Sequence, residues 1–419
     1  MTKKQNLVIV GASYAGVQIA ASARSRGYDG RIQLVGDERP LPYQRPPLSK
    51  GLLTGATTVD QLSLKAEAFY QENEIELLLG QTATALDPGA RRVRLGDGAT
   101  LDYDWLALTT GARCRRLNIP GDTLDRVITL RTLDDALRID AAARGASSVC
   151  VIGGGFIGLE LAAALRSRGL AVTVVESQPR LLARVAPPPM ADFFARVHTE
   201  HGVKLLFGAS VAALHGDATG QVAAVELSDG TRIACDLVVV GIGVLPNVEL
   251  ALQAGIACDN GVRVDEIGRS AAPGVLAAGD CASFPNPYTP VAGQAMRLES
   301  IQAANDLGRA AASVLTGNPQ PYEAVPWFWS DQYDLKLQMA GLVAPGDELA
   351  LRGDPAGERF SVFHLRGGRV VAAQSINRPA EHMLSRKLIA GRCAASLAQL
   401  ADESFDLKTL LAGETPMAK

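Results

Sequence analysis

The chain opens with an uninterrupted apolar run, LVIV at residues 7–10, followed by a glycine turn and a stretch of small residues. A short continuous apolar run without alternation predicts a strand covered on both faces, as in a parallel sheet. The small residues from about 16 to 26 predict a helix, and IQLV at 32–35 predicts a second buried strand. The same plan returns at 148–176 as strand, glycine turn, an Ala/Leu-rich helix and a strand ending VTVVES. Further strands are predicted over 101–111, 238–247 and 274–282, and RTLDDALRI predicts a helix with Thr132 or Asp134 as its cap. Between the second strand and residue 54 lies RPLPYQRPPLSKGLL. Its prolines at 40, 42, 46 and 47 predict a rigid irregular segment without helix or central strand. Beyond about residue 320 the pattern changes. VPWFWSDQYDLKLQMAGL, RFSVFHLRGGRVVAAQSI and RPAEHMLSRKLIA predict a strand, a hairpin and a helix, an α+β segment distinct from the α/β units before it.

At 419 residues the chain is long for one core, and two or three domains are expected. A net charge of −3 and the lack of any basic run weigh against a nucleic-acid partner. No apolar stretch reaches the ~18 residues of a membrane span. The opening MTKKQNLVIVG carries only a four-residue apolar strand rather than a secretory leader, so a cytoplasmic protein without a membrane partner is expected. The six cysteines, at 114, 150, 235, 258, 281 and 393, form no CxxC, and the five histidines form no HExxH. No metal site is therefore expected, and the scattered thiols fit a reducing compartment.

The two glycine turns carry the chemistry. In the second, Gly153 permits the tight turn, Gly155 lets backbone approach a pyrophosphate, and Gly158 lets helix and strand pack closely. Phosphates would then sit on free N–H groups at the helix N-terminus. Glu176 ends the next strand, 23 residues after Gly153. A carboxylate there accepts from the adenine-ribose hydroxyls and repels a 2′-phosphate, which favours NAD over NADP; Arg180 and Arg184 just beyond would soften that preference. The first turn runs Gly11, Ala12, Ser13, Tyr14, Ala15, Gly16. Ser13 departs from the motif at the position of closest phosphate approach, yet is small and able to donate to a phosphate oxygen. Asp37 or Glu38, after the second strand, would bind a ribose. Two dinucleotide sites in one chain imply electron traffic between a diffusible nicotinamide and a bound flavin.

The motifs ALTTGA, LRTLDDA, VIGGGFIGLELAA, VVVGIGVLPN, AAGDCA and RLESIQAA follow in order, with the more specific RPPLSK and PWFWSDQY. Together they resemble the FAD-dependent NADH:ferredoxin reductases of bacterial oxygenase systems, over nearly the whole chain. The resemblance implies an α/β fold with two dinucleotide-binding, glutathione-reductase-like domains. It implies a discontinuous FAD domain (1–112 and 245–320), an inserted NAD domain (113–244) and a C-terminal α+β domain (321–419). It implies FAD contacts at Ala15, Asp37, Arg45, Lys50, Ala83, Arg131, Asp280 and Ile301. Ile157, Glu160, Glu176, Ser177, Arg184 and Gly241 are implied near NAD. It implies a small acidic [2Fe–2S] ferredoxin as electron acceptor, with Arg309 and Lys408 as docking cations. Several of these positions make physical sense. Asp280 ends a strand and can accept from ribityl hydroxyls, and Ile301 opens a helix whose dipole favours negative charge on a reduced isoalloxazine. Lys50 and Glu160, as an ion pair, would anchor the flavin edge beside the nicotinamide, with Lys50 offsetting charge as hydride arrives. Trp329, with Trp327 near it, would shield the flavin. Lys50, Glu160 and Trp329 are thus the catalytic candidates.

Competing readings follow from the same fold. A disulfide reductase or cysteine-based peroxidase needs a redox thiol near the flavin, and no cysteine lies before Cys114. A monooxygenase needs a substrate pocket on the flavin face that the tryptophan segment would cover. An NADH oxidase without a ferredoxin partner, and a NAD-binding sensor that uses the fold structurally, both stay open.

Overall fold

The computed structural model describes residues 4–291 and 293–411. They fall into two compact units: residues 4–44, 62–113, 245–291 and 293–328, and residues 45–61, 114–244 and 329–411.

The first unit is built on a five-stranded parallel sheet. Its order is Val275–Ala277, Trp105–Leu108, Asn6–Val10, Arg31–Gly36, Ile75–Leu79. The central strand pairs Val10 with Val35 on one side and with Leu108 on the other. Burial of Leu7, Val8 and Ile9 on both faces is why that run shows no alternation. The helix Tyr14–Ser25 follows the central strand, and the helix Ile301–Val314 packs across it. At Gly308, a Cβ would stand 3.3 Å from the Ala15 carbonyl oxygen, so glycine sets how closely the two helices approach. The predicted strand over 101–111 is two strands, Thr100–Asp102 and Trp105–Leu108; only the second joins the parallel sheet.

The second unit repeats this topology. Its parallel sheet runs Lys204–Phe207, Ala171–Glu176, Ser148–Ile152, Leu237–Val240, Val127–Thr129. Thr132 caps the helix Leu133–Arg144 through a capping box with Asp135. The proline segment differs from its prediction. Pro46–Ser49 form one 3₁₀ turn and Gly51–Thr54 one α turn. The prolines are tolerated because they occupy the first positions, whose N–H groups have no intrahelical partner. Leu53 then buries into the core of the second unit with Ile139, Leu161 and Leu165.

The second unit also holds an antiparallel sheet in the order Trp327–Gln332, Leu335–Gly341, Arg369–Ile376, Arg359–Arg366, Glu348–Asp354. WFWSDQYDLKLQMAG is therefore a hairpin, not one strand. Its turn uses Tyr333 in the left-handed region, φ 53°. The strand Glu348–Asp354 was not predicted, and it lies at the sheet edge. Leu335, Leu337 and Phe360 of this sheet pack on Phe193, Phe194 and Val197 of the helix Pro188–Glu200. Arg352 ties down the following segment, donating to the carbonyls of Leu400, Asp402, Glu403 and Phe405 while pairing with Glu381.

Candidate functional site

Both central strands deliver the chain into a glycine turn through the same backbone bonds. Gly11 N–H donates to Val35 O and Gly153 N–H to Val175 O, each at 2.8 Å. Gly11 (φ 119°) and Gly153 (φ 111°) occupy backbone conformations that an L side chain rarely adopts. A Cβ would fall 2.0 Å from the Thr109 carbonyl oxygen at Gly11 and 2.4 Å from that of Gly241 at Gly153. Gly16 and Gly158 are equally crowded, 2.1 Å from Gly11 O and 2.0 Å from Gly153 O. All four serve packing of strand, turn and helix.

Gly155 is different. Its φ of −82° suits any residue, and a Cβ there would meet no atom of the described residues within 4 Å. Nothing in the chain's own packing calls for glycine at that point, whereas close approach of a ligand does. The helix Phe156–Ser167 starts there without a side-chain cap among the described residues, and the positive end of its dipole suits phosphate oxygens. These observations fit a dinucleotide at the second turn. In the first, Ser13 is the N-cap of Tyr14–Ser25 in extended backbone (φ −129°), and its hydroxyl does not cap the helix. The positive end of that helix also suits a phosphate.

Glu176 closes over the second turn. Its Oε2 accepts from Gly154 N–H at 2.7 Å, and its Oε1 from Gln178 N–H at 2.7 Å and Ser177 Oγ at 3.3 Å. Arg180 is committed elsewhere, donating to Ala186 O at 2.6 Å and Ala183 O at 3.0 Å. Of the two arginines expected to soften the cofactor preference, Arg180 is thus held by backbone. Arg184 reaches 3.6 Å from where a Cβ of Gly243 would stand. Ile157 is exposed beside the turn, and Gly241 backs it.

Lys50 and Glu160 form an ion pair at 2.6 Å, as expected from the resemblance. Glu160 lies in the helix Phe156–Ser167 and is only 3 % exposed. Its Oε2 also accepts from Ser49 Oγ at 2.5 Å, and its Oε1 from Ser330 Oγ at 2.6 Å. Sequence reasoning missed both serines, although each sits inside a motif singled out as specific, RPPLSK and WFWSDQ. Arg45 and Arg131 also come together, the guanidinium donating to the Arg131 carbonyl at 2.5 Å.

The remaining FAD candidates, Ala15, Asp37, Ala83, Asp280 and Ile301, belong to the first unit. Asp37 is exposed at the end of the second strand, whereas the alternative acid, Glu38, accepts from the Tyr43 phenol at 2.5 Å. Asp280 follows Gly279, whose φ is 80°. Ile301 opens its helix after Ser300, whose hydroxyl takes the Ala303 N–H. Trp327 and Trp329 are half-buried on one strand. Arg309 is exposed and pairs with Asp306, and Lys408 is exposed in the turn Leu407–Leu411.

All six cysteines are free thiols. Burial pushes Cys150 and Cys281 up and Cys235 up to about 11, so none of the three is a ready thiolate. Among the described residues there is no His/Cys/Asp/Glu group that could hold a metal, and no helix is long and apolar enough to cross a membrane.

A duplicated dinucleotide fold and a buried carboxylate on the second turn's helix, paired with Lys50, define a nucleotide-dependent oxidoreductase. The family model "Pyridine nucleotide-disulphide oxidoreductase" matches residues 5–308, and "Reductase C-terminal" matches residues 327–411. The chain belongs to this pyridine nucleotide-disulphide oxidoreductase family, which is FAD-dependent and uses NAD(P)H. It is 44% identical to rhodocoxin reductase of Rhodococcus erythropolis, over 97% of this chain and 94% of the relative. Among solved structures it is similar to the ferredoxin reductase for the CYP199A2 system from Rhodopseudomonas palustris: TM-score 0.93, 41% identity, 97% of this chain and 99% of that one. The reductase in the covalent putidaredoxin reductase–putidaredoxin complex also gives a TM-score of 0.93, at 40% identity over 97% of this chain and 98% of that one.

Proposed function

We propose that the chain is an FAD reductase that takes electrons from NADH and passes them to a [2Fe–2S] ferredoxin serving an oxygenase, either a P450 or a ring-hydroxylating dioxygenase. The single observation that carries it is the Glu160 carboxylate, buried and held by Lys50, Ser49 and Ser330. A buried carboxylate costs desolvation unless it is paired and hydrogen-bonded, which marks Glu160 with its partners as a functional-site candidate. Full-length likeness to ferredoxin reductases supports the partner.

FAD, when bound, accepts a hydride and returns electrons one at a time. Gly11, Ser13, Ala15 and Gly16 are assigned to its phosphates, Asp37 to its ribose and Asp280 to its ribityl chain. Arg45, Lys50, Ala83, Arg131 and Ile301 complete its contacts. Gly153, Gly155, Ile157, Gly158, Ser177, Arg184 and Gly241 are assigned to NADH, with Glu176 accepting from its ribose and repelling a 2′-phosphate. Lys50 supplies a fixed positive charge to the hydride step, Glu160 holds it, and Trp329 excludes water. Arg309 and Lys408 are the docking cations. The three-domain division (1–112 with 245–320, 113–244, 321–419) belongs to this reading and is supported at its end by the separate family model over 327–411. So does a cytoplasmic location, which six free thiols support.

The test is NADH-driven reduction of cytochrome c by the purified protein, with and without an added [2Fe–2S] ferredoxin. Strong dependence on the ferredoxin is expected. A rate indifferent to it, with NADH consumed into peroxide or water, would move the assignment to an NADH oxidase.

A further inference from the structure

The hydrogen bonds on Glu160 do not stop at Ser330. Gln332 Nε2 lies 3.2 Å from Ser330 Oγ, His198 Nε2 lies 2.9 Å from Gln332 Oε1, and the Tyr333 hydroxyl lies 3.3 Å from His198 Nδ1. Glu160, Ser330, Gln332 and His198 are all buried. They come from three elements, the helix Phe156–Ser167, the helix Pro188–Glu200 and the hairpin that begins at Trp327, and Ser330 reaches Glu160 from 170 residues away in sequence.

The carboxylate end fixes the polarity of every link. A carboxylate paired with Lys50 only accepts, so Ser330 spends its single proton on Glu160 and must accept from Gln332. That turns the Gln332 amide so that its NH₂ faces Ser330 and its carbonyl faces His198. His198 must then carry its proton on Nε2, which leaves Nδ1 to accept from Tyr333. The opposite amide orientation would set two acceptors against each other in a buried site, at the cost of an unmade hydrogen bond. The outer end is also built. Tyr333 sits in left-handed backbone, where a bulky residue is strained, and its ring stacks on His201 with centroids 3.7 Å apart. Burial lowers His198 to about 4, so the ring is neutral at pH 7, as this tautomer requires.

We propose that Ser330, Gln332, His198 and Tyr333 are positioning residues for the hydride step, a one-way hydrogen-bond chain that fixes the Glu160 carboxylate and through it the Lys50 ammonium. The proposal rests on the assignment of Lys50 and Glu160 to that step. A histidine merely satisfied in a core would also hold one tautomer, but its removal would leave the rate of the hydride step unchanged.

Two measurements on the full-length holoprotein test it. The first is ¹⁵N NMR of histidine-labelled protein, with His198→Gln giving the assignment. A neutral ring protonated on Nε2 is expected, and a ring protonated on Nδ1 would overturn the chain. The second is the limiting rate of flavin reduction by NADH in rapid mixing. The losses should fall along the chain: about tenfold for Ser330→Ala, less for Gln332→Met and His198→Leu, and about twofold for Tyr333→Phe, with the apparent Kd for NADH unchanged. His198→Gln, which keeps a donor near Nε2, should recover to within about twofold of the parent. Phe194→Leu, in the same helix and core, should lower stability without changing the rate. Equal losses for His198→Leu and His198→Gln, or no gradient, would overturn the positioning role; if His198→Leu does not fold, Gln332→Met and Tyr333→Phe decide it. Lys50→Met separates the two layers. If it leaves the rate intact, the assignment of the ion pair fails, and with it the positioning role. If it slows the rate while the chain variants do not, only the positioning role fails.

Discussion

The two glycine turns have one backbone and two different demands. In each, the first and last glycines are forced by the protein itself: Gly11 and Gly16 against Thr109 and the turn, Gly153 and Gly158 against Gly241 and the turn. The middle position is where they part. Gly155 has open space around its missing Cβ, while the first turn carries a side chain, Ser13. A glycine motif therefore mixes two constraints, packing and ligand approach, and only the surroundings of each glycine tell them apart.

The largest expected effect sharpens that separation. Gly11→Ala and Gly153→Ala each combine an unfavourable φ with a carbonyl oxygen inside 2.5 Å, and each should cost about 3 kcal/mol or more, read as a lower urea midpoint. Gly155→Ala should leave that midpoint within about 0.5 kcal/mol of the parent while weakening NADH at least about tenfold. A Gly155→Ala protein that binds NADH normally would break the comparison.

The two units should also part in acid. All five histidines lie in the second unit. Burial lowers His198, His364 and His382 to about 4 each. The unfolded chain takes up these protons near the ordinary value of 6.5, so their contribution to stability is whole above that pH and is lost as pH falls toward 4. The loss is about 2 kcal/mol per histidine at pH 5. Limited proteolysis at pH 5 should cut within 114–244 or 329–411 first. Equal protection of the first unit's segments would contradict this, and His364→Gln should flatten the pH dependence.

Next comes Glu176. Glu176→Ala removes the acceptor for Gly154 N–H and the charge opposing a 2′-phosphate, so KM for NADH should rise and the preference over NADPH should narrow, each by about tenfold. Because Arg180 is held by Ala183 and Ala186, its removal should change the preference far less. A wild type that prefers NADPH would refute the cofactor assignment.

What the chain reveals on reading follows the same division. Local, periodic features were legible: the buried runs, the glycines at φ above 100°, the acid ending the second strand of each turn, and the cap at Thr132. The Lys50–Glu160 pair was legible only through resemblance, since 110 residues separate its partners. Features set by distant partners or by unusual turn chemistry were not. The hairpin at Tyr333 lacks a Gly or Asn signal because a strained tyrosine makes the turn. The strand Glu348–Asp354 carries charges at 348, 352 and 354 and lies at an edge. Ser330, Gln332 and His198 gain meaning only once the fold brings them to Glu160.

Ser13→Gly gives the smallest expected effect and the sharpest form of the comparison. It would make the first turn chemically the same as the second, Gly-x-Gly-x-x-Gly in both. Ser13 makes no helix-capping bond, and its extended backbone is open to any residue, so the substitution should shift stability by only a few tenths of a kcal/mol. On the proposed assignment it removes one hydroxyl donor toward an FAD phosphate. A turn that holds its cofactor permanently has no need to let it leave, so a side chain that fills space and adds a bond is tolerated there and excluded at Gly155. FAD release measured by fluorescence during dialysis should then be faster in Ser13→Gly, by a factor of about 2–10 for one lost hydrogen bond. Unchanged or tighter retention would mean that Ser13 is only endured, and that permanence does not separate the two turns.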